Sequence, residues 1–298
     1  MPQKDSFDHI AILFNPNSTG DAPRLAHELA KNIKKSSNIA VKPVLTPTKY
    51  RRHGEKLAEE ISLRYKRPLI VSVSGDGGYN EVINGAMAAK QASRKAAPVV
   101  AVMGAGNAND HRRVTRDTPL LELIVRGEPK PMDLLHISVR DSLERHAHSY
   151  AGLGISPEVA VELNRHSLNF LRELQIIFGT FFRFTPFSVT HEGTTRKIDS
   201  LLFANINEMA KVLKLRDKLD VTDGRFEVIE FVHEGKLKLL YRLLRAALAG
   251  IKEPPQYKQY ECVVADTNHI QLDGEVHEFK SGATVRVKSI RAAIDSLY

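Results

Sequence analysis

The sequence has 298 residues, of which 42% are hydrophobic, and this is more than one hydrophobic core usually takes up, so two domains are expected. Basic residues outnumber acidic ones by 43 to 35, and the resulting charge of +8 favours an anionic partner such as a nucleotide, a nucleic acid or a phospholipid surface. A single cysteine, Cys262, excludes intrachain disulfides, cysteine-based zinc sites and paired redox motifs, which fits a reducing, cytoplasmic compartment.

The first hundred residues alternate between two patterns. Short apolar runs typical of β-strands occupy 9–15, 68–75 and 98–104, and helical patterns separate them. This alternation predicts an α/β domain with a parallel sheet. Each run ends in a polar loop, and ligands of open α/β sheets collect beyond the carboxyl ends of the strands. The loops at 15–20, 74–80 and 104–110 are therefore expected to converge.

After Pro131 the sequence pattern changes to longer segments in which apolar and polar residues alternate, as is typical of antiparallel strands. These segments are 134–140, 187–193, 200–206, 225–232, 269–279 and 283–290. We therefore predict an α/β domain over 1–133, joined by the last residues, 288–298, and a β-rich, sandwich-like domain over 134–287. The best helix of the second half is 236–250, with Leu237, Leu240, Leu243, Leu244 and Leu248 on one face and Lys238, Arg242 and Arg245 on the opposite, solvated one.

The sharpest local signal is the run Ser74-Gly75-Asp76-Gly77-Gly78-Tyr79-Asn80-Glu81, where a strand end passes at once into a helix. Such a turn brings backbone N–H groups and a helix N-terminus to a phosphate, and the glycines permit close approach. A carboxylate repels phosphate unless a metal ion or a proton lies between them. Asp76 therefore indicates Mg²⁺ organisation or acid-base chemistry.

The run SGDGGYNEVINGAM, residues 74–87, resembles the GGDGTxNEVxNGL signature of the diacylglycerol-kinase catalytic-domain family, which also includes sphingosine kinases. Other blocks occur in family order over residues 9–287. They are Asn15-Pro16-Asn17-Ser18 (similar to NPxSG), GAGNANDHRR (similar to GTxNDxAR), AGLGISPEV, Asp223-Gly224 and Leu272-Asp273-Gly274-Glu275. Several dispersed motifs in the right order are far more specific than any one of them.

The resemblance implies a lipid kinase that transfers the γ-phosphoryl group of ATP to a lipid hydroxyl, with the active site in the cleft between the two domains. It implies nucleotide contacts from Asn15, Pro16, Asn17, Ser18, Thr46 or Thr48, Ser74, Gly75, Asp76, Gly77, Gly78, Tyr79, Asn80, Glu81, Gly104, Ala105 and Gly106. Mg²⁺ is expected at Asp220, Asp223 and the carbonyl of Arg225, which would otherwise be a polar turn. Glu275 is the first choice for the general base, with Asp273 and Asp76 as competing assignments.

Three departures from the family pattern leave a second interpretation open. Ala105 and Gly78 stand where the family has threonines, so two phosphate-proximal hydroxyls are absent, and Asn107-Ala108 resembles a two-residue insertion. A catalytically weak or silent regulator is therefore the alternative. An NAD kinase is a rival enzyme with a related fold. The expected partners are a lipid substrate and, peripherally, an anionic membrane surface; no nucleic-acid recognition motif is found, and the oligomeric state, with a homodimer as one option, stays open.

The apolar residues from Leu168 to Phe182 recur at helical spacing. They line an acyl-chain pocket or belong to the core, and the core is the commoner outcome for such a pattern. The chain shows neither the basic start nor the apolar stretch of a signal peptide, and no window approaches about 18 uninterrupted apolar residues. Any membrane contact is therefore expected to be peripheral, at the inner face.

Overall fold

The structure is a computed structural model, and it describes residues 7–164, 179–209, 213–214, 221–251 and 253–298. The chain divides into two compact units. The N-terminal unit comprises the chain up to Asp133 together with Arg291–Tyr298, and the C-terminal unit comprises Leu134–Ile290. The predicted core or pocket residues from Leu168 to Phe178 lie outside the described residues.

The N-terminal unit alternates strands with helices as predicted. Its elements are β1 (His9–Phe14), α1 (Ala22–Lys35), β2 (Val44–Pro47), α2 (His53–Arg64), β3 (Pro68–Ser74), α3 (Asp76–Ala92), β4 (Val99–Gly104), α4 (Asp110–Thr115) and α5 (Leu120–Arg126). The strands pair in parallel in the order β2-β1-β3-β4. Helices that connect parallel strands cover the sheet faces, which explains why its central strands are continuous apolar runs.

Burial in this unit follows the sequence pattern. All seven residues of β3 are buried, as expected for a strand covered on both faces. On α1 the buried positions are Ala22, Ala26, Leu29, Ala30 and Ile33, which recur every three or four residues on one side of the helix. These side chains join strand residues in one apolar cluster, and this cluster fixes the sheet whose carboxyl edge carries the candidate site.

The end of the chain completes the N-terminal unit. The last residues of β17 (Ala283–Ser296) extend the sheet, with Asp295 opposite Val99 of β4 in parallel pairing. The Ser296 hydroxyl lies 3.1 Å from the hydroxyl of the buried Tyr79 on α3. The backbone N–H of Ala292 donates to the buried Asp133 carboxylate at 2.7 Å. Hydrogen bonds from side chains thus anchor the returning strand in addition to its backbone pairing.

The C-terminal unit is built mainly of strands. It contains most of β5 (Lys130–Val139) and of β17, together with β6 (Leu143–Ala147), β7 (Tyr150–Gly154), α6 (Ile155–Asn164), β8 (Phe187–His191), β9 (Thr194–Ala204), β10 (Glu208–Met209), β11 (Leu213–Lys214), β12 (Phe226–Val232), α7 (Lys236–Ala249), β13 (Gln256–Tyr257), β14 (Gln259–Ala265), β15 (His269–Leu272) and β16 (Glu275–Glu278). Antiparallel pairs join β7, β8 and β12 to β9, and β14 to both β8 and β17.

Strand β7 is buried along its whole length, whereas strands with an alternating pattern bury one side. On β14, for example, Tyr260, Cys262 and Val264 are buried while the residues between them are not. These inward side chains form a second apolar cluster with strands β7, β9 and β17. The predicted fold class, a parallel α/β region followed by a β-rich region, is therefore confirmed.

Helix α7 forms where predicted, but the expected burial of its leucine face is wrong. Leu239 and Ala246 are the buried side chains of the helix, whereas Leu237 and Leu248 are 81% and 82% exposed. Arg242 lies toward the inner side and donates to the carbonyl of Val232 at 3.1 Å. The pattern could not reveal this rotation, because leucines occur on several faces of the helix. Within the described part of the chain, no helix is both long and apolar enough to cross a membrane.

Candidate active site

Three loops of the N-terminal unit meet at the carboxyl edge of its parallel sheet. Ala105, at the end of β4, donates its backbone N–H to the carbonyl of Ser74, at the end of β3, over 2.8 Å. The carbonyl of Ala105 accepts the N–H of Gly20, in the loop after β1, at 2.8 Å. The predicted convergence of the three loops is therefore confirmed.

The loops approach so closely that side chains are excluded where they touch. A Cβ on Gly20 would lie 2.7 Å from the carbonyl oxygen of Ala105, and one on Gly106 would collide with the Cα of Gly75. In the other direction, a Cβ on Gly75 would lie 3.1 Å from the Cα of Gly106. The edge is thus lined by bare backbone, which lets an anionic group reach N–H donors.

Helix α3 begins at this edge. Gly75 is its N-cap residue, and the first turn contains Gly77 and Gly78. The first N–H groups of a helix have no acceptor within the helix, and the helix dipole places partial positive charge there. With 17 residues, α3 is long enough to develop this dipole. Its N-terminus is the best candidate in the unit for a phosphate-binding position.

Asp76, the first residue of α3, uses its carboxylate within the edge itself. One oxygen accepts the N–H of Asp110 at 3.1 Å, and the other accepts the N–H of His111 at 3.3 Å. The carboxylate therefore holds the start of α4 against the start of α3, while the side chain remains half-buried. The sequence predicts metal or proton chemistry and a nucleotide contact for Asp76; the structure adds a positioning role for the loop after β4.

Asn109 is a positioning residue that is missing from the predicted site. Its side chain accepts the N–H of Gly106 and donates to the carbonyl of the same residue, both at 2.8 Å. Its φ of 51° lies in the left-handed region, which asparagine adopts more readily than most residues. An asparagine that follows two closely spaced glycines was the signal available in the sequence.

Helix α4 brings positive charge next to this loop. Arg113 pairs with the buried Asp110 carboxylate at 2.9 Å. Arg116 is buried and donates to the carbonyl of Val102 at 2.6 Å. Burial, helped by the nearby charge of Arg112, lowers the pKa of Arg116 to about 10, so it stays protonated at neutral pH. The arginines favour an anion near this end of the sheet.

The departure at Gly78 is coupled to the serine at position 74. A Cβ on Gly78 would lie 2.6 Å from the Cβ of Ser74, so no rotation of the serine hydroxyl makes room for it. The Ser74 hydroxyl fills this space, 2.7 Å from the Ser72 hydroxyl and 3.0 Å from the carbonyl of Gly75. The common family signature has a glycine and a threonine at these places. In this chain the side chain and its hydroxyl are therefore at position 74, and the glycine at position 78 leaves the space that they occupy.

The departure at Ala105 lies at the edge of the apolar core. The Ala105 methyl is buried in the apolar cluster formed with β1 and α1. The expectation that Ala105 costs a nucleotide contact stays a prediction.

The last three residues of the glycine-rich motif, Tyr79, Asn80 and Glu81, make contacts within the protein. The Tyr79 and Asn80 side chains are buried, and Asn80 accepts a hydrogen bond from the amide of Asn84 at 3.0 Å. The Glu81 carboxylate accepts the backbone N–H groups of Arg52 and Gly54 at 2.6 and 2.9 Å. These side chains shape the neighbouring loop before α2, so their predicted nucleotide contacts would have to come from the backbone.

The remaining predicted nucleotide residues lie after β1 and in β2. Asn15 accepts the N–H of Asn17 at 3.0 Å and, through its carbonyl, that of Ser18 at 3.1 Å, which makes a tight turn that includes Pro16. Thr48 donates its N–H to the carbonyl of Phe14 at 2.8 Å. In β2, Thr46 pairs with Leu13 in the register. Both segments therefore lie at the carboxyl edge of the sheet.

The Asp273-Gly274 sequence forms a different structure in the C-terminal unit. Asp273 and Gly274, with φ of 48° and 92°, make the two-residue turn between β15 and β16. The fully buried Asp273 carboxylate accepts the N–H groups of His148, Ser149 and Tyr150 at 2.8, 2.9 and 3.0 Å. The His148 ring nitrogen Nε2 lies 3.3 Å from it. A carboxylate held by these donors and shielded from solvent is unsuited to take a substrate proton.

Glu275, the first choice for the base, begins β16 directly after this turn. It pairs with Leu272 in the hairpin register and is half-buried. The turn made by the buried Asp273 precedes it directly. Of the two carboxylate residues in this motif, Glu275 is the less buried one.

The predicted metal site is only partly described. Asp220 lies outside the described residues. The Asp223 carboxylate accepts the N–H of Arg225 at 2.8 Å, around Gly224 with φ of 73°, which makes a tight polar turn. Over 7–164, 179–209, 213–214, 221–251 and 253–298, no group of three or more carboxylate, histidine or cysteine side chains could hold a metal ion. The described oxygen ligands alone do not make a Mg²⁺ site.

A parallel sheet whose carboxyl edge is lined by glycine backbone and a helix N-terminus defines a class of phosphate-binding α/β domains. Residues 9–137 match the family model described as the diacylglycerol kinase catalytic domain. The resemblance that the motifs indicated is thereby confirmed: this part of the chain is similar to a kinase catalytic domain. Among curated proteins, no sequence matches the chain significantly.

Solved structures with a similar fold come from Bacillus anthracis str. Sterne. One, named a diacylglycerol kinase, superposes with a TM-score of 0.71 at 16% identity, covering 99% of this chain and 98% of that one. A second, which carries this enzyme name provisionally, has a TM-score of 0.71 at 15% identity and covers 98% and 99% of the two chains. At such identity the likeness establishes the fold over the whole chain.

Proposed function

We propose that this protein is an ATP-dependent lipid kinase, which transfers the γ-phosphoryl group of ATP to a hydroxyl of a lipid such as diacylglycerol or a sphingoid base. One observation carries the proposal: glycine backbone from two loops and the N-terminus of α3 meet at one edge of the sheet. This edge belongs to the segment that matches the kinase family.

The residues of the edge fit a triphosphate. Its anionic oxygens require N–H donors without competing side chains, and Gly75, Gly77 and Gly78 at the start of α3 offer them. Asp76 and Asn109 hold the loop after β4 in place around these donors. The bound nucleotide supplies the phosphoryl group, and the protein contributes chiefly positioning and electrostatic stabilisation.

Mg²⁺ dependence is part of the proposal through the family likeness. Oxygen ligands such as the carboxylates of Asp223 and Asp76 suit a hard cation. Among the residues that the structure describes, no three such side chains assemble around one point. The prediction for Asp220, Asp223 and the carbonyl of Arg225 stays a hypothesis that a Mg²⁺ titration can test.

Glu275 is the proposed general base for the acceptor hydroxyl. A base must reach the proton that it removes, and it must be able to hold that proton. The half-buried Glu275 meets the first condition better than Asp273, whose carboxylate is fully buried and accepts three backbone hydrogen bonds. Asp76 remains an alternative base, but two backbone hydrogen bonds already engage its oxygens.

A catalytically silent regulator stays the alternative, motivated by Ala105, Gly78 and the two-residue insertion Asn107-Ala108. Two of these departures have a structural account, because the Ser74 side chain fills the space beside Gly78 and the Ala105 side chain is buried in the apolar cluster. This supports the active kinase as the first proposal. Measurable turnover that an active-site substitution abolishes would exclude the silent regulator.

The proposal is tested by supplying γ-labelled ATP and Mg²⁺ with acceptors in mixed micelles. Diacylglycerol, monoacylglycerol, phosphatidylglycerol and sphingosine serve as lipid acceptors, and NAD serves as the acceptor for the rival enzyme. We expect label on one of the lipids and none on NAD. Label on NAD alone would identify an NAD kinase, and label on no acceptor would contradict the proposed activity.

A further inference from the structure

Four large apolar side chains lie on the exposed face of α7. Leu237, Tyr241, Leu244 and Leu248 are 81%, 64%, 54% and 82% exposed. Their spacing of four, three and four residues aligns them within about 60° of the helix circumference and along about 16 Å of its length. We call these four residues the α7 ridge. Single exposed apolar residues are common, but an aligned set of this size indicates an interaction surface.

The orientation of the ridge is fixed by contacts on the other side of α7. Leu239 and Ala246 are buried, and Arg242 donates to the carbonyl of Val232 at 3.1 Å. At the start of the helix, the Lys236 ammonium donates to the carbonyl of Phe181 at 2.9 Å. Rotating the helix to bury the ridge would break these contacts. The ridge is therefore the outward face of a helix that is fastened to its unit.

Positive charge flanks the ridge, and negative charge is absent from the helix. The helix sequence KLKLLYRLLRAALA contains four basic residues and no acidic one. Lys238 and Arg245 are exposed and follow ridge residues directly in the sequence, which places them beside the ridge on the helix surface. Glu234 precedes the helix; its carboxylate lies 3.7 Å from the Lys238 ammonium and also pairs with the Arg242 guanidinium.

We propose that the α7 ridge is the surface by which this protein docks on an anionic lipid bilayer. An apolar stripe beside lysine and arginine is the arrangement of helices that lie in the interface of a membrane. Leu237, Leu244 and Leu248 enter the acyl boundary, Tyr241 lies at the headgroup level, and the basic side chains meet lipid phosphates. The charge of +8 on the whole chain adds to this attraction.

Charge favours the bilayer over a second copy of the chain as the occupant. Two ridges in contact would bring together two helices that carry four basic residues each and no acidic residue. Such like-charge juxtaposition opposes association. An anionic bilayer instead offers both the apolar layer and the negative charge that the ridge and its flank require.

Binding to vesicles tests the inference without any measurement of turnover. The chain has no tryptophan, so Tyr241→Trp introduces a single fluorescent reporter on the ridge. With vesicles of phosphatidylcholine and phosphatidylglycerol, we expect its emission to move to shorter wavelength and to be quenched by brominated lipid. Sedimentation with the same vesicles gives the association constant of the unlabelled parent.

Matched variants separate the ridge from general stickiness. Leu237→Gln with Leu248→Gln should lower the association constant at least tenfold, because two leucines lose their contact with the acyl boundary. Lys238→Gln with Arg245→Gln should lower it roughly tenfold on anionic vesicles. The controls are Leu63→Gln, an exposed leucine of α2, and Lys31→Gln with Lys34→Gln on α1, which should bind like the parent.

Three results would overturn the inference. The parent fails to bind anionic vesicles, the ridge variants bind as well as the parent, or the parent is a dimer that Leu237→Gln with Leu248→Gln converts to a monomer. The inference goes beyond the proposed function and can fail separately from it. Phosphorylation of a soluble short-chain acceptor without vesicle binding would refute the docking surface alone, and vesicle binding without phosphorylation of any acceptor would refute the kinase alone.

Discussion

Two of the three Asp-Gly pairs of the chain, Asp76-Gly77 in the N-terminal unit and Asp273-Gly274 in the C-terminal unit, lie in opposite environments. Asp76 begins the long helix α3 at the open edge of a parallel sheet and remains half-buried. Asp273 occupies a two-residue hairpin turn, is fully buried and binds three consecutive backbone N–H groups. The first aspartate is available to a ligand, and the second is part of the framework.

The difference shows that residue type and turn chemistry do not determine whether a carboxylate can take part in a reaction. Both aspartates accept backbone N–H groups, which stabilises their ionised forms. What separates them is topology: a sheet edge where strands end leaves space for a ligand, while a hairpin packed against β7 leaves none. Next to the buried turn, the half-buried Glu275 is the carboxylate that we propose as the base.

The largest effect is expected for Glu275→Gln, which keeps the size of the side chain and removes its basicity. If Glu275 is the base, the rate of lipid phosphorylation falls by roughly 10² to 10⁴ while ATP affinity and melting temperature stay near those of the parent. Steady-state kinetics and thermal unfolding measure the two properties. An unchanged rate, with a rate loss in Asp76→Asn, would move the base to the N-terminal unit.

Asp273→Ala is expected to act on stability. Removing the carboxylate leaves three buried N–H groups without their acceptor, which costs about 3 kcal/mol or more in the free energy of unfolding. Urea unfolding measures the change. Asp141→Ala is the matched control, because Asp141 also has a positive φ, 56°, in a hairpin turn, but its side chain is 93% exposed. Normal stability of Asp273→Ala with lost activity would reverse the distinction between the two turns.

The Ser74–Gly78 pair tests how tightly the loop around Asp76 is packed. Gly78→Thr alone forces a Cβ against that of Ser74 and should cost about 2 kcal/mol in stability and weaken ATP binding. Adding Ser74→Gly removes the collision and should restore most of the loss. A double-mutant cycle in urea unfolding measures the coupling between the two positions. Additive effects would show that the two side chains do not compete for space.

A smaller effect is expected from His146, which precedes by two residues the backbone that binds Asp273. Burial lowers the pKa of His146 to about 4, with help from His136 and Arg145. The unfolded chain binds this proton near pH 6.5 and the folded chain only near pH 4, so stability falls as the pH drops between these values. His146→Gln should remove about 1 to 2 kcal/mol of the stability difference between pH 7 and pH 5. Urea unfolding at pH 7 and pH 5 measures this difference. An equal loss of stability in the parent and in His146→Gln would contradict the expectation.

Much of the fold could be predicted because its signals are local and periodic. The continuous apolar runs of β3 and β4 and the alternation in β14 reflect burial on two faces and on one face. The rotation of α7 could not be predicted, since leucines on several faces leave the buried side undetermined. It depends on contacts such as that of Arg242 with a carbonyl that is distant in the sequence.

The sequence predicts which loops form the candidate site, but it does not predict what each side chain contacts there. The glycines of the loops predict that their backbones approach each other closely, and the close approach of Gly75 and Gly106 confirms this. The inward direction of Ala105 and the compensation between Ser74 and Gly78 depend on distances between side chains, which spacing in one sequence does not contain. The burial of Asp273 likewise follows from residues more than a hundred positions away.

A nucleotide is expected to bind at the carboxyl edge of the N-terminal sheet, and this is the central claim. Calorimetric titration with ATP and Mg²⁺ tests it directly. The parent should bind ATP. Gly106→Ala forces a methyl group against the Cα of Gly75 and should lower the affinity at least tenfold, a loss of about 1.4 kcal/mol. Gly179→Ala, whose Cβ would meet only the end of Arg183 at 3.5 Å, should bind like the parent. A folded Gly106→Ala variant that binds ATP as tightly as the parent would contradict the account.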